Sequence, residues 1–189
     1  SLLINQSKTG SDFAKKHVSL ALANLARFEE NLESIVKADG IPFLIAQLKA
    51  GSGFNKKDVT YALANLALRK ENVGSIIEAG AIPLLVAQLE TGTNDEKEIA
   101  ALALGNLAIT NPELNVDNEG REKIIELLVG QLQEHTGEMA AWALGNLAVN
   151  FTANQKLEDA VGHKDNQKLI REAGAIPKLV GKLRFSAGN

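Results

Sequence analysis

The chain has 189 residues, a net charge of −3, 45% hydrophobic but only 4% aromatic residues, and no cysteine. That balance, rich in Ala, Leu, Ile and Val, points to closely packed helices. The missing thiols exclude disulfides and zinc–thiolate centres and favour a reducing compartment, the cytoplasm with the nucleus as a second location.

Charge falls in blocks. Residues 1–70 carry ten Lys/Arg against six Asp/Glu, residues 71–149 three against 13, and residues 150–189 seven against four. An acidic middle between basic ends excludes the continuous basic face of a nucleic-acid binder. No apolar run reaches the roughly 20 residues of a membrane helix, so no membrane partner is expected of this stretch.

In chain order, Leu3-Ile4-Asn5-Gln6 falls 41 residues before Leu44-Ile45-Ala46-Gln47, so the chain opens partway through a repeated helix. The phrase ALANLA follows at Ala21–Ala26 and again at Ala62–Ala67, then ALALGNLA at Ala101–Ala108 and AAWALGNLA at Ala140–Ala148. Their asparagines, Asn24, Asn65, Asn106 and Asn146, are 41, 41 and 40 residues apart. A fixed period of that length marks a stacked repeat architecture.

Each full unit has three predicted helices. A short one such as Glu71–Ala79 is closed by Gly80, since glycine accepts the left-handed backbone at a helix end. A second, Ile82–Glu90, carries Pro83 in its first turn, where the missing N–H costs nothing. Pro42 and Pro177 repeat the device in Ile41–Lys49 and Ile176–Arg184. A Thr-Gly or Ala-Gly turn leads into a long third helix, Asp95 to about Ile109, with Asp95 and Glu96 well placed for the helix dipole.

At about 100° per residue from each ladder Asn, Val18, Leu22, Leu25 and Ala26 form one apolar face of the first third helix. The positions seven and four before the Asn, the Asn itself and the position four after it form the opposite stripe. That stripe is His17, Leu20 and Phe28 with Asn24, then Asp58, Tyr61 and Arg69 with Asn65. It continues as Ile99, Leu102 and Thr110 with Asn106, and Met139, Trp142 and Asn150 with Asn146. Eight residues before each Asn stand Lys16, Lys57, Glu98 and Glu138, predicted to form the rim. This arrangement implies acidic ligand groups toward Lys16 and Lys57 and basic ones toward Glu98 and Glu138. The small residues, including Gly105 and Gly145, suit close stacking of neighbouring helices.

Two cycles depart from the pattern. In the third, Glu126 takes the place of the proline and the segment before it is longer and polar. In the fourth, about 13 residues are inserted near 151–165. The expected repeats are therefore 1–28 (partial), 29–69, 70–110, 111–150 and 151–189 (partial, with the insertion), in one array cut at both ends. Leu2, Leu3 and Ile4 would then belong to a helix without its partners, and such ends invite end-to-end self-association.

These features resemble the armadillo-repeat family along the whole chain: a three-helix unit of about 41 residues, E-A-G-A-I-P at Glu78–Pro83 and Glu172–Pro177, and A-L-x-N-L-A on the third helix. The resemblance implies an all-α, right-handed solenoid whose third helices line a concave groove that binds extended peptide. Trp142-Ala-Leu-Gly-Asn146 is also similar to the W-x-x-x-N array of importin-α adaptors. There the Trp flanks a pocket for a long basic side chain and the Asn bonds peptide backbone. Leu20, Tyr61 and Leu102 stand where the other Trp residues would be.

A carboxamide can clasp both N–H and C=O of one ligand residue. It can equally bond the adjacent turn of its own array, and the residues leave both roles open. The loop from Asn115 through Asp117, Glu119 and Gly120 to Glu126 imitates calcium-ligand spacing. Charged Glu122 at an ordinarily apolar position makes it a polar inter-repeat loop instead. His17, His135 and His163 form no ligand set, and no nucleophile–base motif or phosphate loop is present. The sequons at Asn5 and Asn150 read as chance triplets. The expectation is a non-enzymatic module without metal or cofactor that binds a protein or peptide partner. The alternatives are an importin-α-like cargo adaptor and a scaffold that uses its ends or convex face.

Overall fold

A computed structural model describes residues 10–50, 56–111, 114, 116–132, 137–149 and 168–186. The segments with Leu2–Asn5, Asn115, His135, Asn150, the 151–165 insertion and His163 lie outside the described residues, as do the readings placed on them. Every regular element within the described residues is an α-helix.

In chain order these are α1 (Asp12–Leu25), α2 (Glu29–Lys37), α3 (Gly40–Ala50), α4 (Lys56–Leu66), α5 (Lys70–Glu78) and α6 (Ala81–Thr91). They continue with α7 (Asn94–Thr110), α8 (Asn118–Gln131), α9 (Gly137–Val149) and α10 (Ala175–Ser186). The predicted helices that fall on described residues, Ile41–Lys49, Glu71–Ala79, Ile82–Glu90, Asp95 to about Ile109 and Ile176–Arg184, are present with ends shifted by a residue or two.

The third helices α1, α4, α7 and α9 stack in succession into one layer, and α4, α7 and α9 each also pack on the second helix before them. No third helix can bury its apolar face alone; its neighbours complete the core, which is what a solenoid requires. Leu44, Leu63, Leu85 and Leu104 are fully buried along this seam, each contributing on the order of 1.5–3 kcal/mol by burial. The predicted apolar face of α1 holds at Leu22 and Ala26 but not at Leu25, which is 42% exposed.

The junction between first and second helices turns the chain by 80° between α5 and α6. Gly80 makes that turn at φ 88°, and Gly174 repeats it at 74°. In the unit before, the left-handed residue is Asp39 at φ 61°, with Gly40 next to it. A Cβ on Gly40 would come within 2.7 Å of the Ile35 carbonyl oxygen and would overlap the Ile35 side chain. The glycine is there for closeness, and aspartate, which tolerates the left-handed region, takes the turn.

Where Glu126 replaces the proline and the Gly-Ala pair is missing, nothing breaks the helix. α8 is accordingly one continuous run of 14 residues instead of two helices. Third helices start on named caps where the sequence supplies them. Ser11 Oγ accepts from the Ala14 N–H. Thr93 and Glu96 form a reciprocal capping box on α7, satisfying two otherwise unpaired donors.

Candidate functional site

The face that carries the predicted ladder is open at α1 and α9, where Phe13, His17, Asn24, Glu138 and Trp142 are exposed, and half-buried at α4 and α7. Asn106 is only 3% exposed. Its Nδ2 donates to the Ala64 carbonyl of the preceding third helix at 2.9 Å. Its Oδ1 accepts from Trp142 Nε1 at 3.4 Å. Asn146 Nδ2 donates to the Gly105 carbonyl at 3.0 Å. Because a carbonyl can only accept, these bonds fix which side-chain atom is the amide nitrogen. A two-handed clasp of ligand backbone is therefore not available at Asn106, which is buried as well as engaged. Asn106 is engaged at both ends, whereas half-buried Asn146 keeps its oxygen and its second amide hydrogen. These two rungs hold neighbouring repeats together. Asn65 Nδ2 is shielded from solvent without a partner, and Asn24 is exposed.

The aromatic rung is built by close approach. A Cβ on Gly105 would lie 2.8 Å from Trp142 Cδ1 and 3.1 Å from the Ala143 Cα. Glycine thus lets α9 seat its indole against α7 while 46% of Trp142 stays exposed. Gly145, expected to serve the same way, meets nothing within 4 Å. At the positions equivalent to Trp142, Leu20, Tyr61 and Leu102 are half-buried, as are Ile99 and Met139 one turn earlier. On α1, His17 is exposed and packs edge-on against Phe13 at a centroid distance of 4.2 Å. Phe13 is itself 72% exposed.

Two residues leave the expected stripe. α1 ends at Leu25 and α4 at Leu66, so Phe28 and Arg69 are not on those helices. Each is the N-cap of the next first helix, in extended conformation. Arg69 Nη2 pairs with Glu29 Oε1 at 3.0 Å. α7, by contrast, continues helical through Thr110.

The rim also differs from its reading in sequence. Lys57 Nζ lies 2.6 Å from Asp95 Oδ2 across the repeat boundary. That hydrogen bond and charge, with smaller contributions from Asp58 and Glu98, hold the Lys57 ammonium above the usual lysine range. Lys57 therefore offers no free positive charge to an acidic ligand. Glu138 is exposed on α9, and Glu98 is half-buried on α7.

Below the rim, Asp117 Oδ1 accepts the Gly120 N–H at 2.8 Å and so caps α8, while Glu126 sits within that helix. No cluster of three or more metal-ligating side chains occurs among the described residues.

A family model for the armadillo/β-catenin-like repeat matches residues 69–109. Solved structures match almost the entire chain. One is a designed armadillo-repeat protein in complex with the peptide (KR)4, 26% identical, covering 95% of this chain and 72% of its own, with a TM-score of 0.71. The chain is an armadillo-repeat array. A set of computationally designed armadillo-repeat proteins for modular peptide recognition matches with the same identity and coverage and a TM-score of 0.72. An engineered protein matches at 26% identity over 95% of this chain and 70% of its own, with a TM-score of 0.77. No curated protein matches the sequence.

Within the armadillo array, two polar devices escaped the sequence reading. Asn31 and Asn72, on the first helices, donate Nδ2 to the Leu25 and Leu66 carbonyls at 3.1 and 2.9 Å. Each closes the C-terminus of the preceding third helix, satisfying an otherwise orphaned carbonyl. Their spacing of 41 was the available signal. The buried Thr60 hydroxyl and Gln88 carboxamide bond each other at 2.9–3.0 Å, joining one repeat's third helix to the next repeat's second helix. No local motif announces a pair 28 residues apart.

Proposed function

We propose that this armadillo array is a protein-interaction module that holds an extended segment of a partner along the face of its stacked third helices. The observation that carries this reading is the stripe itself. Phe13 and His17 on α1 and Trp142 on α9 are exposed, with half-buried Tyr61 on α4 between them, on a layer whose internal polar groups are largely engaged. Exposed aromatic surface of this kind on a rigid scaffold is what an interaction face requires. Structures of the same architecture at 26% identity include one solved with a peptide. Trp142 beside Asn146 also favours the narrower reading of a nuclear-transport cargo adaptor, in which the ligand is a basic signal.

Because Asn106 holds the array together, its replacement by Ala does not isolate binding. Tyr61→Ala with Trp142→Ala is the cleaner test. Selection from a randomised peptide library on the 189-residue chain is expected to yield binders that the double variant loses while keeping its helical circular dichroism. Binders that survive the double substitution would sink the reading. Enrichment confined to Lys/Arg-rich peptides would favour the adaptor.

A further inference from the structure

Two of the cations read into the groove and its rim are neutralised within the array. Lys57 is held by Asp95, and Arg69 by Glu29. Asp58, Glu98 and Glu138 make no ion pair among the described residues. A ligand cation arriving at α7 or α9 can meet the Glu98 or Glu138 carboxylate. At α9 that cation also finds an aromatic wall, because Glu138 and Trp142 are four residues apart on one helix face. An ammonium or guanidinium lying there can face a carboxylate and an indole ring together.

The α1 end is different in kind. Phe13 projects at 72% exposure, braced edge-on by His17, on the same helix face as Asn24 and three turns before it. An exposed ring held by a second ring is a contact surface for another apolar or aromatic side chain.

We propose that the segment this groove takes is two-ended: an aromatic or large aliphatic residue for the Phe13–His17 corner, and a basic pair for the Glu98–Glu138–Trp142 end. This rests on the groove reading above and adds the ligand's chemistry and spacing. Stacked helices lie ~8–10 Å apart, so the three steps from α1 to α9 span roughly 24–30 Å. An extended strand rises ~3.3 Å per residue, which sets the two anchors about seven to nine residues apart.

The test uses fluorescence anisotropy on the full chain with four labelled 14-residue probes in a Gly/Ser/Asn background. The first carries Phe and, nine residues on, Lys-Arg. The second places the same residues adjacent; the third replaces Lys-Arg by Glu-Glu; the fourth replaces Phe by Ala. The first probe is expected to bind about tenfold or more tighter than the third and measurably tighter than the second and fourth. Phe13→Ala should erase the gap between the first and fourth probes. Glu98→Gln with Glu138→Gln should shrink the gap between the first and third, and Glu98→Lys with Glu138→Lys should reverse it.

Equal affinity for the spaced and adjacent probes, or for the basic and acidic ones, overturns the proposal. Trp142 is the chain's single tryptophan, and its emission separates the two levels of failure. If all four probes bind alike and all shift that emission, the groove stands and the two-ended ligand falls. If none binds and the emission is unmoved, both fall.

Discussion

The boundary between the second and third repeats and the one between the third and fourth are built from the same parts but completed differently. At the earlier boundary, Thr60 and Gln88 satisfy each other in the core, Asn106 clasps the Ala64 carbonyl, and Lys57 meets Asp95 at the rim. At the later boundary, Asn146 repeats the clasp on Gly105 and Trp142 adds an indole donor, but the core pair is broken. The residue equivalent to Gln88 is Gln131, 3% exposed, with neither its Nε2 nor its Oε1 bonded. The residue equivalent to Thr60 is Ala101, which brings no hydroxyl. One partner is present without the other, and a buried unpaired amide is more expensive than two apolar side chains. This boundary also holds the exposed indole of Trp142.

The sharpest way to break the later boundary is to crowd its closest approach. Gly105→Val should lower unfolding free energy by about 2–3 kcal/mol in urea denaturation, because the added carbons meet Trp142 and the Ala143 backbone. Gly145→Ala, at the same ladder position 40 residues on, should instead gain about 0.5–1 kcal/mol from helix propensity, since open space surrounds it. If both lose stability alike, the close-packing account of Gly105 is wrong.

Breaking the earlier boundary takes Asn106→Ala. This removes a buried clasp and strands the Ala64 carbonyl, an expected loss of about 2 kcal/mol by the same measurement. A variant as stable as the parent would return Asn106 to ligand binding alone.

The comparison can also be repaired. Ala101→Ser offers Gln131 the hydroxyl that Thr60 gives Gln88, and should raise stability by about 1 kcal/mol. Gln131→Met should give a gain of similar size, about 1 kcal/mol, by removing the unpaired group. Combining the two should not add, because each removes the same defect. Additive gains would mean that Gln131 does not face Ala101.

The smallest effect is at the rim. Asp95→Asn should lower the Lys57 pKa toward the ordinary lysine range in an NMR titration. Because that pKa is raised in the folded state, the pair's contribution is complete below the pH at which an unfolded lysine titrates. It is lost as pH rises through the folded value, in strongly alkaline solution. A Lys57 titration unchanged by the substitution would separate it from Asp95.

Much of the architecture was legible because repetition amplifies weak local signals. One Gly-Ala-Ile-Pro junction suggests a bend, but the same junction at 41-residue spacing, with an alanine-rich helix after it, leaves a solenoid as the consistent solution. The break in pattern at Glu126 was legible too, and the uninterrupted α8 follows from it directly. The candidate site was less legible. Phe28 and Arg69 were projected onto helices that end three residues earlier, because a period carried past a helix end no longer describes side-chain direction. Lys57 was counted as a free charge because its partner, Asp95, is 38 residues away.

The sequence by itself determined the helices, their repeat and the layer that the asparagines share, since these follow from short-range periodicity and backbone chemistry. Only the tertiary structure decided what each asparagine does and which charges remain free. A carboxamide or an ammonium is defined by the partner across the repeat boundary, and stacking alone sets which carbonyl or carboxylate lies within 3 Å of it.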